Sequence, residues 1–377
     1  MTTWFVWPRP GPRTAGHLLL GALLASLLLL AAARPSAFSS LMQEDAWAEW
    51  ATVFAYAAAG GLALVGALQR SRDRWARLTL LGLAAFTLFV AGEEISWGQR
   101  LFSFRPPKVF LEHNFQQESN LHNFLKRILD TRWIIFGIAL LYGVVAPLAA
   151  RWRWAKIPRA LAPDPRLAPW FLAVAVLELT YPFELSGELA ELLLGLVFLA
   201  DVISRRAEDG ARERALRTTL VLQGAVLALA VVAAPAVDAL TLHNAQERTP
   251  QALQDLASLR ARLGDPGVIG KRLFKKRSVH KRVYTARRAR YLRLAEGEYY
   301  LDAWNQPYWV AFRRTGPGQG TLLVYSFGPN RRRDTEIDRL AGAARVEDVI
   351  AGDDLGVLLE VRRAATASVA AAATSSR

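Results

Sequence analysis

Two hydrophobic patterns divide the chain. Residues 16–240 form long apolar blocks separated by short charged loops, whereas residues 241–377 have the mixed polarity of a water-soluble protein. A membrane-spanning helix needs about 20 mostly apolar residues. The apolar blocks predict about seven spans, of which the fifth and sixth are short and joined by a tight hairpin: 16–33, 46–68, 76–97, 132–150, 168–184, 187–203 and 217–238. The sequence thus predicts an all-α polytopic membrane domain over residues 1–240.

The first apolar block has a second interpretation. Arg9 and Arg13 precede it and three alanines end it, which resembles a cleaved signal peptide. We favour a retained span, because the orientation of the six later blocks is consistent when this block is counted.

A different pattern begins after the last block. Thr249 and Pro250 are typical of a helix start, and leucines then recur at helical spacing as far as Leu263. Further on, β-branched and aromatic residues between turn residues predict strands. The predicted strands are 299–301, 307–314, 321–327 and 355–362, with a short helix at 335–344. We expect a small α+β domain over residues 241–363 and a disordered tail over 364–377.

Charge predicts the orientation. The net charge is +14, and the loops after the second, fourth and sixth spans, like the N-terminal tail, are rich in arginine. Because basic loops stay in the cytoplasm, the N-terminus is expected inside and the C-terminal domain outside. Arg-, Ala- and Leu-rich usage is typical of a GC-rich bacterial genome, so the predicted location is the bacterial cytoplasmic (inner) membrane. Membrane lipids are the expected partners, and nucleic acid is not expected outside the cytoplasm. The chain has no cysteine, which excludes disulfides and thiolate metal sites.

The basic run at 270–293 has two interpretations. It could bind an anionic partner such as lipid headgroups or nucleic acid. Alternatively, it is a solvated face or a tether near the membrane, which is the interpretation that we favour here.

Under this topology the membrane-domain carboxylates gather at the outer ends of the spans. They are Glu44, Asp45, Glu49, Glu93, Glu94, Glu184, Glu188 and Glu191. Glu178 is predicted deeper, about 12 Å beyond Trp170 at the helical rise and near the bilayer middle. An ionisable residue at that depth predicts a functional site. The alternative is a protonated Glu178 hydrogen-bonded to a neighbouring helix.

The densest polar segment is 92–100, where Glu93, Ser96 and Arg100 are expected on one helix face. For acid–base chemistry the candidates are Glu93, Glu94, Glu178 and His122. For a divalent metal, the cofactor that these residue types suit, the candidate ligands are Glu93, Glu94, His113 and His122. The alternative is a structural hydrogen-bond network that pins the 98–131 loop to the membrane domain.

Two resemblances add to these predictions. The string Glu-Glu-Ile-Ser-Trp-Gly-Gln-Arg at 93–100, with Asn-Leu-His-Asn at 120–123, resembles a signature of bacterial membrane proteins with no assigned activity. It therefore implies no chemistry.

The second resemblance concerns the C-terminal domain. Asp-Ala-Trp-Asn-Gln-Pro-Tyr at 302–308, Val-Tyr-Ser-Phe-Gly-Pro-Asn at 324–330 and the pair Asp353–Asp354 resemble the major pseudopilin of type II secretion. The resemblance implies a small antiparallel sheet outside the cytoplasm and oxygen ligands for calcium. The matching positions are Asn330, Asp334, Asp353 and Asp354, although three arginines at 331–333 oppose a cation. The chain departs from the family in lacking its cleaved leader before the last span.

Two functional hypotheses remain open, and with them the question of enzymatic activity. The first is a membrane-embedded enzyme or transporter with an outward-facing carboxylate site. The second is a non-catalytic envelope or secretion-associated protein whose pseudopilin-like domain binds a protein partner.

Overall fold

The computed structural model describes most of the chain. The described residues are 12–43, 46–69, 73–102, 104–114, 118–125, 130–152, 158–206, 212–265, 267–295, 298, 301–330 and 333–363. Glu44, Asp45 and the predicted tail at 364–377 lie outside them. The chain divides into two compact units, residues 1–101 with 119–237, and residues 102–118 with 238–377.

Helices dominate the described residues. In chain order they are α1 (Pro12–Ala33), α2 (Pro35–Met42), α3 (Trp47–Ala67), α4 (Arg74–Glu94), α5 (Gln99–Phe102), α6 (Lys108–His113), α7 (Leu121–Leu125), α8 (Thr131–Leu140), α9 (Ala146–Trp152), α10 (Ala168–Thr180), α11 (Ser186–Arg206), α12 (Arg212–Gln246), α13 (Thr249–Leu263) and α14 (Val283–Arg288). Short 3-10 turns lie at Ser96–Gly98, Arg159–Leu161, Pro165–Leu167, Leu273–Lys275, Ile337–Ala341 and Val346–Asp348.

Within the part of the chain that the structure describes, four stretches are long and apolar enough to cross a membrane. They are Trp47–Ala67, Arg74–Glu94, Thr131–Arg151 and Arg217–Val237, and the apolar part of α1, His17–Ala33, is shorter. Four such helices are compatible with membrane insertion. α10 has 13 residues and is about 20 Å long, which is shorter than the hydrocarbon core of a membrane at about 30 Å.

Small residues pack the centre of the first unit. Ala51, Ala55, Ala59 and Ala63 recur every four residues on α3 and are fully buried. Such a stripe allows neighbouring backbones to approach closely. Gly195 of α11 belongs to the same packing, because a Cβ built there would lie 3.1 Å from the Tyr56 ring.

Two predicted spans end earlier than the apolar pattern indicates. The pattern predicts 76–97, but α4 ends at Glu94, and the backbone turns left-handed at Ser96 (φ 47°), Trp97 (φ 55°) and Gly98 (φ 83°). The prediction that Glu93, Ser96 and Arg100 share one helix face is therefore wrong. The cause is tertiary, since polar side chains on both sides of this turn hydrogen-bond residues 119–122.

The other early end is that of α10. The pattern predicts 168–184, but α10 ends at Thr180, where Tyr181 takes a left-handed conformation (φ 42°) one residue before Pro182. Proline disfavours helix at the preceding residue and supplies no N–H of its own. Glu178 consequently lies in the last turn of α10, and its depth in the bilayer stays a prediction.

The helix that contains α8 and α9 is interrupted by a π-helical turn at Leu141–Val145. Gly143 lies in this turn, and a Cβ there would be 2.0 Å from a Phe171 atom. The turn and the glycine together allow the backbone to lie directly against the ring.

The second unit contains an antiparallel four-stranded sheet in the order β1-β2-β3-β4. The strands are Ser278–Arg282, Trp309–Gly316, Gln319–Ser326 and Leu355–Arg362. On one face Val310, Phe312 and Leu322 pack with Leu256 and Leu259 of α13. On the other face Ala311, Leu323 and Tyr325 pack with Leu340 and Val349.

Apolar runs rich in β-branched and aromatic residues account for β2, β3 and β4, which overlap the strands predicted at 307–314, 321–327 and 355–362. β1 was not predicted, since it lies in the basic run and alternates poorly. In the predicted strand 299–301, Leu301 forms only an isolated bridge with Pro307, and residues 299 and 300 lie outside the described ones. The predicted helix at 335–344 is a 3-10 turn at Ile337–Ala341.

Candidate functional site

Glu93 lies in the last turn of α4 and is 4% exposed. Its Oε1 accepts a hydrogen bond from the Trp97 indole N–H at 2.6 Å, and its Oε2 accepts from the backbone N–H groups of Leu121 (2.6 Å) and His122 (2.8 Å). The His122 Nδ1 lies 3.4 Å from the same Oε2. The carboxylate therefore caps the first turn of α7, where backbone N–H groups have no partner within the helix.

The residues after Glu93 extend this network. The buried Gln99 side chain accepts from the Ser119 N–H at 2.7 Å, and the Asn120 amide donates to the Ser96 hydroxyl at 3.1 Å. These contacts tie residues 119–122 to the end of α4. Both Glu93 oxygens are thus occupied by structural hydrogen bonds, as in the pinned-loop alternative.

The structure brings two of the four predicted metal ligands together, Glu93 and His122. His113 is exposed in the second unit, at the end of α6, with its Nδ1 3.2 Å from the Val109 carbonyl oxygen. Among the described residues, the one group of three or more acidic or histidine side chains within ligand distance is Asp334, Asp353 and Asp354. The predicted four-residue metal site does not form such a group.

Glu178 has a different environment. It is 2% exposed, and its Oε1 is buried without a hydrogen-bond partner. Arg132 lies within electrostatic range and opposes its charge, whereas Asp130 and Glu188 add negative charge nearby. A buried carboxylate oxygen without a donor costs folding free energy, and such groups concentrate at functional sites.

Tyr56 joins Glu178 to two other carboxylates. This tyrosine of α3 is 2% exposed and interacts electrostatically with Glu94, Glu178 and Glu191. Four helices, α3, α4, α10 and α11, each contribute one of these residues. We call Tyr56, Glu94, Glu178 and Glu191 the carboxylate cluster.

The cluster contains two residues that the sequence did not indicate as site residues. Tyr56 lies in an otherwise apolar span, and Glu191 was predicted only as part of an acidic hairpin. A signal was available for Glu191, because Glu188 and Glu191 are three residues apart and such spacing places both on one face of a helix.

A second polar group lies further along α11. Asp201 is fully buried and accepts hydrogen bonds from the Arg205 Nε at 2.9 Å and the Tyr142 hydroxyl at 2.7 Å. Arg205 also donates to Tyr142 at 3.0 Å and to the Ala160 carbonyl. Tyr142 belongs to the π-helical turn, so the turn supplies a hydroxyl that hydrogen-bonds both members of the buried Asp201–Arg205 ion pair.

An aromatic layer lies between the two polar groups. The ring of Phe198 on α11 is 6.3 Å from that of Tyr56 and 5.7 Å from that of Tyr142. Phe86 and Phe171 pack on the same ring at 5.4 and 5.7 Å. The carboxylate cluster and the Asp201 ion pair are thus separated by closely packed aromatic side chains.

In the second unit, Asp302 organises the segment at 302–308. Its buried carboxylate accepts from the Trp304 N–H at 2.9 Å, the Gln306 N–H at 2.8 Å and the Ser326 hydroxyl at 2.5 Å. Ser326 in turn accepts from the Gly328 N–H at 3.0 Å. The motif residues are therefore a structural connection between the 302–306 turn and β3.

The acidic group of the second unit has ligand atoms within 4.8 Å of one another, from Asp334, Asp353 and Asp354. Asp354 is 2% exposed, and its Oδ2 accepts from the backbone N–H groups of Asp334 (3.1 Å) and Thr335 (2.8 Å) and from the Thr335 hydroxyl. The Oδ1 atoms of Asp353 and Asp354 are buried without a partner. Burial raises the pKa of Asp354 to about 6 and also raises the pKa of Asp353.

Comparison with known families, curated proteins and solved structures finds no match to this chain. The function is therefore inferred from the residues and their geometry.

Proposed function

We propose that this chain is a bacterial inner-membrane protein of about seven spans, with a cytoplasmic N-terminus and an extracytoplasmic C-terminal domain. In this proposal α1, α10 and α11 cross the membrane together with the four longer apolar stretches. The basic loops support the orientation, and Glu188 and Asp201 on α11 would be sheltered by neighbouring helices.

The proposed activity is uptake of a proton or a small cation from the outer side at the carboxylate cluster, as in a transporter or a membrane-embedded enzyme. The observation that carries it is the buried Oε1 of Glu178 without a donor. A carboxylate in such a place is stable when it is protonated or when a cation replaces the missing donor. Glu94 and Glu191 near Tyr56 supply further oxygens for either occupant.

Carbodiimide modification tests this proposal. An apolar carbodiimide reacts with protonated carboxyl groups in apolar surroundings, and peptide mass spectrometry locates the product. For the full chain in liposomes, we expect Glu178 to react at least tenfold faster than Glu184, which is exposed at the hairpin between α10 and α11. Sodium, lithium, calcium and magnesium salts are compared at equal ionic strength, and a cation that occupies the cluster should slow the reaction of Glu178.

The matched variants are Glu191→Gln, within the cluster, and Glu184→Gln, outside it. Glu191→Gln should change the rate at Glu178 or its response to cations, whereas Glu184→Gln should change neither. If Glu178 reacts no faster than Glu184, or if no cation and no cluster variant affects it, the proposed site is wrong.

A second candidate function concerns the C-terminal domain. Here the pseudopilin-like domain binds a partner protein in the envelope, and a divalent metal at Asp334, Asp353 and Asp354 orders its loops. Two partnerless carboxylate oxygens within this group support a cation there. Carboxylate oxygens suit calcium, magnesium or manganese better than zinc.

Deletion of residues 245–377 separates the two candidates. If the cellular phenotype of a null strain is rescued by the remaining membrane unit, the partner-binding candidate is wrong. If rescue instead needs residues 245–377 but tolerates Glu178→Gln, the carboxylate cluster is not the functional site.

A further inference from the structure

A strongly basic groove lies in the second unit, apart from the carboxylate cluster and the acidic group. Its volume is about 590 Å³. Two leucines and six basic side chains line it, and no carboxylate is among its described lining residues; the basic residues are Lys271, Arg272, Arg287, Arg288, Arg290 and Arg293. Like charges so close together repel unless an anion offsets them.

The floor of the groove is built by two chain segments that pair with each other. Ile269 and Leu292 form a β-bridge, the Gly270 N–H donates to the Tyr291 carbonyl at 2.8 Å, and the Arg293 N–H donates to the Val268 carbonyl at 2.7 Å. A Cβ at position 270 would lie 2.2 Å from the Arg290 carbonyl oxygen, so this close approach requires glycine. These contacts therefore hold the backbone that carries the basic side chains in a fixed conformation.

Two of the arginines are also held in place. The Arg287 Nε donates to the Leu294 carbonyl at 2.9 Å, and the Arg288 guanidinium donates to the Tyr284 hydroxyl at 3.3 Å. Arg272, Arg290 and Arg293 are exposed and have no carboxylate partner among the described residues. The groove thus combines fixed arginines with others that remain available to a ligand.

Arg290 has an unusual backbone conformation. It follows the end of α14 and has a φ of 61°, in the left-handed region that favours glycine at this place after a helix. An arginine held there is strained, and strained residues concentrate at binding sites. Position 290 thus carries an arginine although its backbone conformation disfavours a side chain, and this arginine lines the basic groove.

We propose that this groove binds a phosphate group, through bidentate arginine contacts of the kind that planar guanidinium groups make with phosphate oxygens. The phosphate could belong to an anionic membrane lipid or to a free phosphate compound. The lipid source has the stronger support, because a candidate span ends at Val237 and α13 begins at Thr249. The chain itself therefore keeps the domain at a high local concentration of headgroups.

Lysine footprinting on the full chain in phosphatidylcholine nanodiscs tests the proposal. Lys271 lines the groove, whereas Lys275 is also exposed but does not line it. The rates at which an amine-reactive ester acylates both lysines are measured with inorganic phosphate, or with dihexanoyl-phosphatidylglycerol, at constant ionic strength. We expect the probe that binds to slow Lys271 at least fivefold and Lys275 less than twofold.

Charge-reversal variants separate the groove from the general field of a basic domain. Arg272→Glu with Arg293→Glu should abolish the protection of Lys271. Arg260→Glu with Arg314→Glu makes the same charge change at exposed arginines outside the groove and should preserve it.

Protection by the lipid at lower concentration than by phosphate assigns a lipid headgroup, and the reverse order assigns a free phosphate compound. The proposal is overturned if neither probe protects Lys271, if both lysines are protected equally, or if both variant pairs weaken protection equally.

Discussion

Glu93 and Glu94 are neighbours in sequence but have different environments. Glu93 accepts hydrogen bonds from the backbone N–H groups of Leu121 and His122, whereas Glu94 interacts with the buried Tyr56. The sequence predicted that this pair would be important, but it could not separate the two roles. The separation depends on the left-handed residues that follow α4, and their conformation is set by contacts with residues 119–122.

Glu93→Ala should destabilise the first unit by about 3 kcal/mol, because it leaves buried backbone and indole N–H groups without an acceptor. The apparent unfolding midpoint in mild detergent, followed by tryptophan fluorescence, measures this effect. Glu184→Ala, at an exposed position, should change the stability by less than about 0.5 kcal/mol. Equal effects of the two substitutions would contradict the capping role.

Arg290→Gly should stabilise the second unit by about 1 kcal/mol, since glycine accepts a positive φ without the steric cost of a side chain. Arg288→Gly removes the same charge from the last turn of α14 and should instead destabilise by about 1 kcal/mol. Hydrogen exchange of the β1 amides in the full chain reports both changes. If Arg290→Gly does not stabilise the second unit, Arg290 is not strained by its positive φ.

At the scale of elements, the sequence predicted the position of α11 but not the environment of its charged residues. Its apolar pattern predicted a short span at 187–203, yet the helix runs from Ser186 to Arg206 and carries charged residues near both ends. The hydropathy of one helix does not identify which of its carboxylates are buried. Burial depends on residues of neighbouring helices, such as Tyr142, which hydrogen-bonds Asp201. No pattern in the sequence predicted the π-helical turn to which this tyrosine belongs.

Asp201→Ala should destabilise the first unit by about 3–5 kcal/mol, because it leaves Arg205 as a buried charge without its partner. The double variant Asp201→Leu with Arg205→Met removes both charges and should lose much less stability. Unfolding in nanodiscs, followed by tryptophan fluorescence, compares the two. A double variant as unstable as the single one would mean that the ion pair is not the main interaction here.

The sequence also predicted only part of the sheet. β2, β3 and β4 are rich in β-branched, aromatic and other apolar residues, and they overlap strands that were predicted. β1 was missed, because its sequence Ser-Val-His-Lys-Arg offers one apolar position and the strand depends on pairing with β2, as in Val279 with Phe312. The acidic group was predictable only through the pseudopilin resemblance, since Asp334 and Asp353 are far apart in the chain.

The acidic group should give opposite pH dependences with and without a cation. The folded pKa of Asp354 is about 6, above the value near 3.9 of an unfolded chain, so the metal-free folded domain binds an extra proton between these values. It should therefore gain stability as pH falls from 6 to 4. Manganese binding should weaken about tenfold from pH 7 to pH 5, because protonation competes with the metal.

Manganese relaxation and hydrogen exchange measure the two trends on the full chain. Asp354→Asn should abolish the pH dependence of both, whereas Asp338→Asn, at an exposed carboxylate outside the group, should leave both intact. Manganese affinity that is unchanged between pH 7 and pH 5 would contradict a site built on Asp354.

At the scale of the whole molecule, the apolar pattern located two units but left the number of spans to be tested. Four helices satisfy length and composition by themselves, and the proposal of seven adds α1, α10 and α11. The two counts differ in parity. Seven spans place the N-terminus and the C-terminal domain on opposite sides, whereas four place them on the same side.

The most direct test is cysteine accessibility, for which the chain is suited because it contains no cysteine. Single substitutions Asp73→Cys, Glu184→Cys and Arg314→Cys are treated with an impermeant maleimide in intact spheroplasts and after permeabilisation. We predict labelling of positions 184 and 314 in intact spheroplasts, and of position 73 only after permeabilisation. Labelling of position 314 only after permeabilisation would contradict both the seven-span topology and an extracytoplasmic C-terminal domain.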